Sequence, residues 1–139
     1  MNMMNVKMIE VEETAAGVFL AFLMTEDEIR NLNGWVSDQP ATDLQNATLA
    51  NLYRLGVHHG LRMAEYLPPA ERPDHAWTDA TGITWQWDKE NFRNVAVDAD
   101  GLEIEVTSDS RDYDDYREDE FTAHSRGLLD ALDACGWKR

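Results

Sequence analysis

Between residues 83 and 107, apolar and polar side chains alternate three times, and this alternation constrains the fold more than any other feature. Ile83, Trp85 and Trp87 are interleaved with Thr84, Gln86 and Asp88. Val95 and Val97 alternate with Asn94, Ala96 and Asp98, and Leu102, Ile104 and Val106 alternate with Glu103, Glu105 and Thr107. A period of two puts successive side chains on opposite faces of a strand. Asp98-Ala-Asp-Gly101 is a turn sequence, with glycine where a positive φ is wanted. The pattern predicts an antiparallel meander over about 82–107, with one apolar and one polar face.

Helices are expected to cover the apolar face. Thr25-Glu-Asp-Glu28 is a capping box, in which the Thr25 hydroxyl accepts from the Glu28 amide and the Glu28 carboxylate reaches back. Asn33-Gly34 is the expected stop of that helix. Thr42-Asp-Leu-Gln45 repeats the device and predicts a long central helix over about 42–67, ended by Pro68-Pro69. Its stripe of Leu49, Leu52, Tyr53, Gly56, Gly60, Met63, Ala64 and Leu67 has the spacing of one helical face. Gly56 and Gly60 each cost about 1 kcal/mol relative to alanine, and a close crossing with another element would offset that. A C-terminal helix from about Asp115 to Cys135 places Phe121, Leu128, Leu129, Leu132 and Cys135 together. At the other end, Val6 to Val11 has strand-like composition but alternates poorly. The apolar run Gly17 to Met24 suits a buried strand or a buried helical turn equally. The expected architecture is α+β, a single domain over 1–139, with helices on one face of a small antiparallel sheet.

The single cysteine, Cys135, excludes an intrachain disulfide and a cysteine zinc site. Glu10, Glu12 and Glu13 precede the best apolar run, Ala15 to Met24, where a secretory signal needs positive charge, and its ten residues are too few to span a bilayer. A cytoplasmic protein is expected, with no membrane contact. A net charge of −15 argues against direct binding to nucleic acid, whose phosphates would repel it.

That charge is concentrated. Asp98 to Glu120 contains eleven acids opposed only by Arg111 and Arg117, a net −9 in about a sixth of the chain. A halophile's solvation charge would be spread evenly, whereas residues 1–70 carry −5 and residues 71–139 carry −10. Glu103 and Glu105, roughly 6.6 Å apart along a strand, repel by roughly 0.6 kcal/mol in water. Solubility of a small domain needs a net charge of only about 2–8. The candidate partner-binding surface is therefore Asp98, Asp100, Glu103, Glu105, Asp112, Tyr113, Asp114, Asp115, Tyr116, Glu118 and Asp119, with the two tyrosines as anchors. The competing reading is a solvated loop leading into an acidic helix N-terminus.

Other constellations are weaker. Arg54, His58 and Arg62 lie at i, i+4 and i+8, a stripe that suits an anionic ligand or pairs with acids of the same chain, such as the 112–120 segment. Adjacent His58 and His59 point about 100° apart and do not make a two-histidine metal face. His75 with Asp74 and Asp79 would need a tertiary coincidence to add ligands. Asp98-x-Asp100-Gly101 fails the calcium-loop pattern, because Ala96 and Thr107 stand at ligand positions. No nucleophile elbow, phosphate loop or dinucleotide fingerprint occurs, so no catalytic residue, cofactor or metal is expected. Trp85 and Trp87 read as core rather than as a stacking platform.

The expectation is a non-enzymatic acidic protein that docks on a basic, nucleic-acid-handling partner. In size and charge it resembles two groups of small inhibitors. One comprises nucleic-acid mimics acting against restriction or CRISPR complexes, and the other immunity proteins that cover nuclease toxins. Two alternatives stand beside it: a small enzyme or ligand-binding protein with a site near Arg54, His58 and Arg62, and a homodimer built on the Gly56/Gly60 face.

Overall fold

The computed structural model describes residues 24–64, 76–88, 90–91, 93–106, 111 and 115–137, together with the backbone of residues 7–14 and 17–23. In chain order the elements are β1 (Lys7–Thr14), β2 (Gly17–Leu23), α1 (Glu26–Ser37), α2 (Ala47–Met63), β3 (Trp77–Thr78), β4 (Thr84–Asp88), β5 (Arg93–Val97), β6 (Glu103–Ile104) and α3 (Glu118–Ala134). The architecture is α+β, and the described residues form three helices and a four-stranded antiparallel sheet in the order β3-β4-β5-β6. β1 and β2 form a separate antiparallel hairpin. The apolar run from Gly17 is thus a strand, and an irregularity between Met8 and Glu10 accompanies the poor alternation of its partner.

The capping box forms as expected: Glu28 N donates to Thr25 Oγ1 and Thr25 N to Glu28 Oε1, each at 3.2 Å. The helix does not stop at Gly34. Beyond it Val36 is buried on the same face as Ile29 and Leu32, worth roughly 1.5–3 kcal/mol, which outweighs the glycine cost of about 1 kcal/mol. The end of α1 is held from a distance, where Arg126 Nη2 on α3 donates to the carbonyls of Val36, Gln39 and Pro40 at 3.2–3.4 Å.

The long helix begins later than the Thr42 box suggests. Asp43 uses its carboxylate on the Gln45 amide, and Asn46 caps α2 by accepting from Thr48 N and Leu49 N. Its expected end, Leu67 with Pro68-Pro69, lies outside the described residues.

The core of the fold is the crossing of α2 and α3. A Cβ on Gly56 would fall onto the His124 carbonyl, one on Gly127 onto the Tyr53 carbonyl, and one on Gly60 within 2.6 Å of the Leu128 carbonyl. The cost of these glycines is offset by backbone contact between the helices. The same geometry corrects the homodimer expectation, because α3 of the same chain already covers the Gly56/Gly60 face. Around the crossing lie Tyr53, Val57, Leu61, Met63, Leu128, Leu129, Leu132 and Cys135, with Trp85 and Ala96 contributed by the sheet.

Two five-residue turns shape the sheet, and they are the same device used twice. In Asp79-Ala-Thr-Gly-Ile83, Asp79 Oδ1 accepts from Thr81 N and Ile83 N. In Asp98-Ala-Asp-Gly-Leu102, Asp98 Oδ1 accepts from Asp100 N and Leu102 N. Gly82 and Gly101 take φ of 83° and 80°, a region open to glycine without steric cost. The first turn brings in β3 as a fourth strand ahead of the expected three-stranded meander.

The register corrects the expected apolar face. Trp85 pairs with Ala96, and Ala96 with Ile104. Directly paired residues point to the same side. The core face of the sheet therefore carries Trp85, Trp87, Ala96, Ile104 and Val106. Val95 and Val97 point the other way, beside Gln86, Thr84 and Glu103. A small residue at 96 lies opposite the Trp85 ring, and one step of register moves every side chain of a strand to the other face.

Candidate acidic interface

The acids of the 98–120 run separate into those that build the fold and those that face solvent. Asp98 is consumed by its turn, where its carboxylate holds two amides and its own amide donates to Leu102 O at 2.9 Å. Leu102 is left 65% exposed at the hairpin tip. Asp100, next to it, is exposed.

On the outer sheet face Glu103 receives Arg93 through two nitrogens, at 2.7 and 3.4 Å, and Arg93 Nε reaches Asp88 at 3.7 Å. The Glu103 carboxylate raises the Arg93 guanidinium above its ordinary range. Asp88 is held low chiefly by the hydrogen bond from Asn91, with the Glu90 amide and Arg93 adding to it. This row across three strands is half neutralised. Glu105 is exposed and enters no ion pair with another described residue.

At the start of α3, Glu120 is buried and internal. It accepts from Arg111 Nη2 at 2.9 Å, from Arg117 Nε at 3.3 Å and from the Arg117 amide at 3.2 Å. The Arg111 hydrogen bond leads in holding its carboxyl below the usual range. Asp115, Glu118 and Asp119 are exposed. Glu118 and Asp119 also occupy the first turn of α3, where negative charge suits the helix dipole. Arg117 Nε approaches Asp119 at 3.5 Å.

Tyr116 packs inward rather than standing proud of the acids. It lies half-buried against Leu49, Leu52 and Ala123, edge-on to His124, with the Arg111 guanidinium 4.8 Å above its ring. Asp112, Tyr113 and Asp114 lie outside the described residues.

The basic stripe is not a row of three cations. Arg54 Nε donates to Thr81 Oγ1 at 3.2 Å and Nη1 to Asn51 at 3.5 Å, neutral partners instead of the expected acids. His58 stacks on Trp85, with centroids 6.4 Å apart, and burial followed by the Arg62 charge pushes it down to about 4, so it is neutral at pH 7. Trp85 is buried and donates its indole N–H to Asp79 Oδ2 at 2.8 Å. His75 and Asp74 lie outside the described residues, and Asp79 is occupied by four donors of its own turn and strand. Among the described residues, no three His, Cys, Asp or Glu side chains are placed to hold a metal ion, and no helix is long and apolar enough to cross a membrane.

Two polar contacts between α2 and α3 have no local signal in the sequence. Tyr53 OH donates to Asp130 Oδ2 at 2.6 Å and accepts from Ala80 N at 3.2 Å; burial, then Asp130, raises its phenol far above the ordinary value. His59 Nδ1 lies 2.8 Å from His124 Nε2, both rings buried. The glycines were the available clue, since His59 precedes Gly60, His124 lies one turn before Gly127, and a close crossing brings both together.

Comparison with known proteins adds no family: no family model, no curated protein and no solved structure matches this chain.

Proposed function

We propose that this chain is a non-enzymatic docking protein whose acidic surface engages a basic, nucleic-acid-handling protein. The observation that carries the reading is the exposure of Asp100 and Glu105 at the β5–β6 hairpin and of Asp115, Glu118 and Asp119 around the start of α3, with only Asp119 of the five opposed by a described cation. Acids carried by a hairpin and by a helix start offer a partner several negative charges, as a nucleic-acid backbone does. Such a surface speeds encounter with a positive cleft and competes with the ligand of that cleft. The polar groups of the interior are committed elsewhere: Tyr53–Asp130 and the Asp79 hub hold the fold together, and Glu120 caps α3.

The partner class implies a cytoplasmic setting, either a nucleic-acid mimic directed at a defence complex or an immunity protein covering a nuclease. The test is capture of partners at low salt, followed by competition between this protein and an oligonucleotide for the captured partner. Mutual displacement supports the reading. Simultaneous binding of both contradicts it.

A further inference from the structure

We propose that the His59–His124 contact is an acid-sensitive latch, which holds the α2–α3 crossing closed at neutral pH and opens it on mild acidification. A nitrogen-to-nitrogen separation of 2.8 Å requires one ring to donate its N–H and the other to offer a lone pair. Both rings must then be neutral or share one proton. A further proton sets two N–H groups against each other inside a packed core, where charge is poorly screened.

The surroundings add to this. From α2, His58 and Arg62 oppose a positive charge on His59, and on the α3 side Tyr116 meets His124 edge-on at 6.2 Å, with Arg111 stacked on its ring. Glu120 lies one turn before His124 on α3, but it is already held by Arg111 and Arg117. Burial comes first in keeping His59 well below its ordinary range, followed by His124, His58 and Arg62.

The crossing has little room for local relief, because Gly56, Gly60 and Gly127 bring the backbones into contact. Relief therefore requires displacement of α3 against α2. Tyr116 bears on His124, so displacement also loosens the segment carrying Asp115, Glu118 and Asp119. An opened chain binds more protons than the closed one below about pH 6.5, so acidification favours the opened form.

The experiment is an acid titration followed by near-ultraviolet circular dichroism and tryptophan fluorescence, on the wild type and on the double variant His59→Gln/His124→Gln. The wild type is expected to lose its tertiary signal above pH ~4.5, before ordinary carboxylates protonate. The double variant is expected to hold that signal to about one pH unit lower. A midpoint that the double substitution leaves unmoved overturns the proposal. Should the variant fail to fold at neutral pH, titration of wild-type protein carrying 13C-labelled histidine decides. The latch requires both rings to keep their native shifts until the tertiary signal is lost. Either ring titrating near its ordinary value with the fold intact overturns it.

Discussion

Gly127 and Tyr53 meet across the α2–α3 crossing, with the Tyr53 carbonyl in the space that a Cβ on residue 127 would need. Gly127→Ala is therefore expected to destabilise the fold by about 1–3 kcal/mol or more, by forcing two backbones apart. Gly34→Ala is the control. It adds a methyl in open space on a helix and should be neutral or stabilising by up to about 1 kcal/mol. Urea denaturation of both variants checks the contrast.

The two Asp-Ala-x-Gly turns are alike in backbone but not in burial. Asp79 is buried and also takes the Trp85 indole N–H, whereas Asp98 only organises an exposed tip. Asp79→Asn keeps the shape but turns an amide N–H toward that indole or toward the turn amides, and should cost about 1–3 kcal/mol. Asp98→Asn keeps an acceptor for its turn and should cost less than about 1 kcal/mol. Thermal or urea unfolding of the pair distinguishes them.

Stability should fall with acidity in two windows. His58, pushed down to about 4, contributes stability that is complete above about pH 6.5 and is lost as the pH falls toward 4, because the unfolded chain takes up the proton first. Glu120 is depressed chiefly by Arg111, so its contribution is present above its ordinary range near 4.5 and is lost below it. His58→Gln should reduce the slope of the upper window, leaving the part carried by His59 and His124, and Glu120→Gln should reduce the slope of the lower one. Unfolding free energies measured from pH 7 to pH 3 check both slopes.

The exposed acids should be separable from the fold. Glu105→Lys, Asp115→Lys and Glu118→Lys touch no buried group, and each should change stability by less than about 1 kcal/mol, Glu118 the most through the helix dipole. Glu103→Gln releases an exposed ion pair and should be within the same limit. Circular dichroism and denaturation midpoints verify that loss of binding in these variants is not unfolding.

Much of the fold was legible in the sequence because the relevant signals are local. The Thr25/Glu28 box, the Asp98 turn and the glycine-lined helix face each need only a few neighbouring residues to be read. The orientation of Val95 and Val97 was not, since either phase of β5 is compatible with its composition and only pairing with Trp85 and Ile104 selects one. Of the candidate surface, the sequence named the acids but could not tell Glu105 and Asp115 from Asp98 and Glu103. That distinction depends on Arg93 lying ten residues from its partner and on the geometry of the turn. The His59–His124 contact joins residues 65 apart and exists only once the helices cross.

The most direct measurement is the affinity of a captured nucleic-acid-binding partner for wild-type protein and for the Glu105→Lys/Asp115→Lys/Glu118→Lys variant, across a salt series. If the exposed acids carry the docking, wild-type affinity should fall at least ~10-fold between about 50 and 500 mM salt, and the variant should bind at least ~10-fold more weakly at low salt. Affinity that ignores salt and survives the triple charge reversal would contradict it.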